Sequence, residues 1–193
     1  MSELTLEQIE ENFETFANLC EKLGETRKDK AEKFIEHFSE RLASCPAATK
    51  TAFSGAYHGG LIEQNLAVLK NALLLNKTFE LRVKKSSILL CCLFRNIGNL
   101  GTRDEQLLEE QENEWRRNNM GEMFKYNQKL NFMAPVDRTT FLMQQFGFDL
   151  SEDEYLALRL SGTRMNEEYS MNEPPLAFLV YSSARIAMIN DKK

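Results

Sequence analysis

Apolar residues recur along this chain with helical spacing almost throughout. From Thr5 to Leu23 they fall at Leu6, Ile9, Phe13, Phe16, Ala17, Cys20 and Leu23, which puts them on one face of a helix. Thr5 and Gln8 have capping-box spacing, and Gly24 stands where the helix would stop. A second helix is expected from Lys28 to Ala43, with Ala31, Phe34, Ile35, Phe38 and Leu42 as its buried stripe and Pro46 just beyond it. His37 lies beside that stripe, near Glu36 and Glu40, and reads as a partly exposed structural histidine. The segment His58 to Asn76 repeats the pattern with Leu61, Ile62, Leu66, Leu69 and Leu73. Lys84 to Ile97 is nearly continuous in apolar residues, which predicts a helix buried on most sides, broken by Gly98 and Gly101.

Beyond this point the pattern weakens. Thr102 to Arg117 reads as a charged, solvated helix, and 118–136 as a loop or short irregular strands. Helical spacing returns at Asp137 to Phe146. A capping box of Ser151 with Glu154 opens a helix through Leu160, and Pro174 and Pro175 precede a last helix, Leu176 to Ile189. No alternating run is long enough for a substantial strand. The predicted class is all-α, with residues 1–43 as a helical pair packed on a domain formed by 44–193, together one compact unit.

Composition narrows the function. With 193 residues, 42% of them apolar, the chain can bury one real core. Its longest apolar run, Ser86 to Phe94, is about half a bilayer span, so no membrane partner is expected. The N-terminus lacks a signal-peptide layout, and the expected location is cytoplasmic. A net charge of −5, from 24 basic and 29 acidic residues, argues against a nucleic-acid partner, which would require a basic stripe. Cys20, Cys45, Cys91 and Cys92 show no CxxC spacing and read as buried thiols. Only His37 and His58 are present, so a site built on several histidines is excluded. P-loop, GxGxxG, GxSxG and HExxH motifs are all missing.

A series of short segments carries a further signal: CPAATK at 45–50, GAYHGGLIEQ at 55–64, LFRNIGN at 93–99, GEMFKY at 121–126, PVDRTTF at 135–141, ALRLS at 157–161 and LVYSSA at 179–184. In this order and spacing they resemble small HD-domain metal-dependent phosphohydrolases of phages and bacteria. There the second segment ends in histidine and the third reads Leu-Leu-His-Asp-Leu-x-Lys. The resemblance implies a helical HD-like bundle. It also implies one or two divalent metals, held by histidines and aspartates, that make hydroxide from water and neutralise a phosphate ester.

The positions that would carry those ligands hold other residues here. The first histidine is Gln64, the His-Asp pair is Arg95 and Asn96, a further histidine aligns with Val136, the next with Ser161, and the late aspartate with Ser183. The lysine after the His-Asp pair is Asn99. A permanent cation at Arg95 would repel a divalent ion, and Asn96 keeps the size of aspartate without its charge. The expectation is therefore a pseudoenzyme without metal or cofactor that acts through a protein partner, a phage accessory protein in the host cytoplasm if the resemblance extends to origin. Homo-oligomers are left open.

Two alternatives follow. In the first, Arg95 holds a nucleotide or phosphate without turnover, with Lys50, Arg138 and Arg159 adding charge at the rim; otherwise Arg95 pairs with a carboxylate such as Asp137 or Glu63 in a plugged cavity. In the second, a hydrolase survives on a rebuilt site drawn from His58, Glu63, Asp104 and Asp137. Trp115, Arg116 and Arg117 are the candidate partner-binding residues, since tryptophan and arginine are enriched at interface hot spots.

Overall fold

Every residue from Ile88 to Arg95 is buried, and four other helices pack against the helix that contains most of that segment. The computed structural model describes residues 3–161 and 172–190. Eight α-helices occur among them: α1 (Leu6–Cys20), α2 (Glu25–Ser44), α3 (Gly60–Thr78), α4 (Lys85–Leu93), α5 (Glu114–Met120), α6 (Pro135–Gln145), α7 (Glu152–Leu160) and α8 (Pro175–Asn190). Short 3₁₀ turns follow α1 (Glu21–Leu23) and α4 (Ile97–Leu100). Among the described residues the only sheet is an antiparallel pair, β1 (Leu108–Glu110) with β2 (Phe124–Tyr126), in which Leu108 faces Tyr126 and Glu110 faces Phe124. The chain is all-α in class, and none of its described helices is long and apolar enough to cross a membrane.

The helix starts follow their sequence signals. Thr5 with Gln8 and Ser151 with Glu154 each form a reciprocal capping box, and Pro175 opens α8, as the missing proline N–H allows. α3 packs along α8, and α4 lies against α3, α1, α7 and α8. Phe16 of α1 and Phe34 and Phe38 of α2 are buried in the same cluster as Phe94, Leu142 and Val180. Phe94 sits 5.4 Å from Phe34 and 4.9 Å from Phe148, ring to ring. The N-terminal pair thus shares its core with the rest of the chain.

Two expectations are corrected. The helix predicted over Thr102 to Arg117 does not form. Leu107 and Leu108 are buried, and Leu108 lies in a strand opposite Tyr126. The chain instead pairs with 124–126, and Gln111 N–H donates to the Met123 carbonyl. Helix resumes only at α5, where the Asn113 side chain caps the Arg116 N–H, and it runs to Met120, into the segment expected to be a loop.

The helix predicted over Lys84 to Ile97 ends at Leu93. The Asn65 side-chain amide donates to the carbonyls of Leu93 (2.9 Å) and Arg95 (2.8 Å), occupying acceptors that the next helical turn would use. Asn96 then takes a left-handed φ of 60°. At Gly98 a Cβ would lie 2.0 Å from the Pro135 carbonyl oxygen; only glycine lets α6 sit so close to the 3₁₀ turn.

One buried ion pair joins distant segments. Arg27 of α2 donates to both carboxylate oxygens of Glu154, at 2.8 and 2.7 Å, and to the Asp149 carbonyl. Ser87 adds 2.7 Å and the Ser151 N–H 2.9 Å. Glu154 is 2% exposed. Burial alone would push its carboxyl up, but the donors from Arg27, Ser151 and Ser87 outweigh it and hold the group below its usual value.

Glu154→Gln is expected to cost about 3 kcal/mol, measured by urea unfolding at neutral pH. Because the folded-state carboxyl titrates below the unfolded one, this stabilisation is complete above about pH 5 and fades as pH falls through the folded value. The gap between wild type and variant should narrow as pH falls below the ordinary glutamate value of about 4.3. A gap that stays constant with pH would contradict the pairing.

Candidate functional site

Where α3 begins, the sequence brings the backbone unusually close. A Cβ on Gly60 would lie 2.3 Å from the Gly55 carbonyl, so the paired glycines at 59 and 60 let the helix start directly beneath the 45–55 loop. One turn further in, Gln64 and Asn65 point into the protein, at 8% and 1% exposure. Asn65 ends α4, and Gln64 meets what comes next. Arg95 folds under α3, 5% exposed, and its Nη1 donates to Gln64 Oε1 at 3.1 Å.

Arg95 has no carboxylate within ion-pair distance among the described residues. Pairing with Asp137 or Glu63 does not occur. Asp137 is taken by Arg159 at 3.2 Å, and Glu63 accepts from the Tyr57 hydroxyl at 2.5 Å. Burial pulls the Arg95 guanidinium down to about 10, still charged at neutral pH. Among the described residues, its Nε, the Asn65 Oδ1 and the Ser183 Oγ are buried without a hydrogen-bond partner. The Asn65 amide donates to the Arg95 backbone carbonyl, and the Asn71 amide of α3 donates to the Ser183 backbone carbonyl at 3.3 Å.

Of the six positions the resemblance singles out, Gln64 and Arg95 are hydrogen-bonded to each other. Asn96 forms the left-handed corner, Ser161 closes α7 by donating to the Leu158 carbonyl at 2.9 Å, and Val136 is half-buried in the first turn of α6. Ser183 is fully buried. Their atoms are amides, hydroxyls, an isopropyl group and a guanidinium, with no imidazole, thiolate or carboxylate. A divalent ion does not fit this donor set.

The four cations expected to share a phosphate do not converge. Lys50 pairs with Glu122 at 2.9 Å, Arg159 with Asp137, and buried Arg138 donates to the Asn131 carbonyl at 2.9 Å. Arg95 and Arg138 thus have neutral acceptors and no carboxylate among the described residues, and the Nε of each is buried without a partner there. The groups suggested for a rebuilt hydrolytic site are also dispersed. His58 Nε2 meets Glu110 Oε1 at 3.0 Å at the surface, on a cleft of about 460 Å³ that Arg41, Asn99 and Phe124 also line. Among the described residues no three metal-ligating side chains gather.

The thiols are buried. Desolvation pushes Cys20 and Cys92 up to about 12 and raises Cys45 and Cys91 as well, so none is a thiolate nucleophile at neutral pH. His37 is exposed, its ring edge-on to Phe38 and its Nε2 3.0 Å from the Arg103 carbonyl.

Trp115, Arg116 and Arg117 lie on α5, a helix without one buried residue. Trp115 is 64% exposed. Both ends of the helix are nonetheless held: Asn113 caps it, and Arg116 reaches Glu122 at 2.9 Å on the opposite side from Lys50. These two cations hold the Glu122 carboxyl below its usual range.

Asn65 is the residue that sequence reasoning missed. Its signal was visible: an amide on the apolar stripe of α3, between Leu61, Ile62, Val68 and Leu69, is a buried polar group that must find partners.

Comparison of the chain with family models, with curated proteins and with solved structures finds no match to any of them.

Adding millimolar Mn²⁺ or Zn²⁺ is expected to leave the unfolding midpoint where Na⁺ at equal ionic strength leaves it, and elemental analysis should find far less than one metal per chain. Saturable stabilisation by either ion would show that a metal site exists.

Proposed function

We propose that this chain is a degenerate relative of HD-domain hydrolases that performs no hydrolysis and works by binding a protein partner through α5 and the adjoining hairpin. The observation that carries the reading is α5 itself. A seven-residue helix with no buried side chain gains nothing from the core, and isolated helices of that length are unstable. Here it is held rigid from both ends by Asn113 and by the Arg116–Glu122–Lys50 ladder, and it displays Trp115 and Met120 to solvent.

The surface has a chemistry. Beside α5 runs a groove of about 600 Å³ lined by Lys50, Arg116, Lys125, Lys129 and Tyr126 together with Glu109 and Glu122, so its cations outnumber its carboxylates on a protein whose net charge is −5. An aromatic anchor flanked by arginine and lysine suits a partner that presents an acidic patch around an apolar pocket. Support for the loss of hydrolysis comes from the residues at the resembling positions, where a buried guanidinium stands in place of ligands.

Crosslinking in the cell that produces the protein identifies the partner, and binding is then measured with both components purified. Trp115→Ala is expected to weaken it about 30-fold, the scale of an interface hot spot, while changing stability by less than about 0.5 kcal/mol because the residue is mostly exposed. Unchanged affinity in the variant, or turnover of phosphomonoesters by the wild type above background, would overturn the proposal.

A further inference from the structure

Between α3 and α8 opens a cleft of about 420 Å³. Its α3 wall is a stripe two helical turns long: Glu63, Gln64, Ala67, Lys70 and Asn71. Ala187 and Asn190 of α8, with the loop residues Ser54 and Tyr57, complete the lining. Two of these side chains are nine-tenths buried and have hydrogen-bonding groups open. Ser54 is 8% exposed, and its hydroxyl has no partner among the described residues. Gln64 is also 8% exposed; its Oε1 accepts from Arg95, and its Nε2 has no acceptor among the described residues. Polar groups this deeply buried are normally satisfied, and both belong to the wall of a cavity from which a ligand can satisfy them.

The charges of the cleft are of opposite sign and well separated. Glu63 and Lys70 are seven residues apart on α3, about 10 Å along the helix axis. Glu63 accepts the Tyr57 hydroxyl on Oε2, which leaves Oε1 open. Lys70 has no ion pair among the described residues. Arg95 stands behind Gln64 and is not part of the lining.

We propose that this cleft binds a short peptide with free ends, about three residues long, with its ammonium at Glu63 and its carboxylate at Lys70. An extended tripeptide spans about 10 Å, which matches the spacing of the two charges. A single amino acid carries both its charges on one carbon and reaches only one of the two. Between the ends, Gln64 offers N–H donors to peptide carbonyls. Asn71 offers an acceptor to a peptide N–H, since its own Nδ2 donates to the Ser183 carbonyl. Asn190 and the Ser54 hydroxyl supply either role. Ala67 and Ala187 leave room for the backbone and favour small side chains. The site concerns binding, and no bond is made or broken. It shares no lining residue with the groove beside α5, so it stands or falls independently of the partner surface.

Amide chemical shifts of the isotope-labelled full chain are followed by NMR as trialanine is added at constant pH and ionic strength. Saturable shifts confined to 54–71 and 187–190 are expected at millimolar peptide, and no saturable shift with alanine. N-acetylation and C-terminal amidation should each weaken binding about 10-fold. Glu63→Gln is expected to bind free and acetylated trialanine alike, and Lys70→Met to bind the acid and the amide alike. Ala67 is exposed, so Ala67→Trp fills the cleft without entering the core, and it should abolish the shifts. A wild type without saturable shifts overturns the proposal, as does alanine binding as tightly as trialanine. Equal binding of end-blocked trialanine, or shifts that persist in Ala67→Trp or map to α5, would overturn it as well.

Discussion

The Arg27–Glu154 pair is the interaction on which the arrangement of helices depends. It links residues 127 apart in sequence and, through Ser87, fixes α2, α4 and α7 to one another. α4 is too apolar to choose its own orientation: it is buried on most sides, and hydrophobic burial is non-directional. Direction comes from the hydrogen bonds. A carboxylate that is 2% exposed tolerates only the geometry in which all its oxygens are satisfied.

The other buried charge follows the opposite logic. Arg95 lies at the far end of the same helix, in the corner made by Asn65 and the left-handed Asn96. Glu154 is surrounded by donors and held ionised, whereas Arg95 has one neutral acceptor and a guanidinium drawn below its ordinary value by burial. Removing one partner of a buried pair is costly because it strands the other charge, and a buried guanidinium without a carboxylate carries its desolvation cost uncompensated. The Gln64–Arg95 corner therefore has a distinct electrostatic character, set by a fixed cation.

Display at α5 rests on a third balance. The helix is secured by caps and by the Lys50–Glu122–Arg116 ladder, not by a buried face. Such contacts are exposed and individually weak, yet together with the β1–β2 pairing they keep Trp115 presented to solvent. A rigid aromatic anchor loses little conformational entropy on binding, which is why this surface, and not one of the isolated exposed apolar residues on α3 or α8, is the reading for a partner.

Local signals in the sequence were enough to determine the helices flanking the core, their caps at Thr5 and Ser151, the proline start of α8 and the all-α class, because helix formation depends on residues three and four apart. Residue identity alone also settled that Gln64, Arg95, Asn96, Val136, Ser161 and Ser183 supply no imidazole or carboxylate. Only the tertiary structure decided the rest. Thr102 to Arg117 carries helix-forming residues, but Leu108 to Glu110 pair with Phe124 to Tyr126, and long-range pairing overrides propensity. The end of α4 was set by an amide on another helix. The carboxylates expected to neutralise Arg95 were taken by Arg159 and Tyr57, because which charges meet depends on how separate elements pack, and no local pattern encodes that.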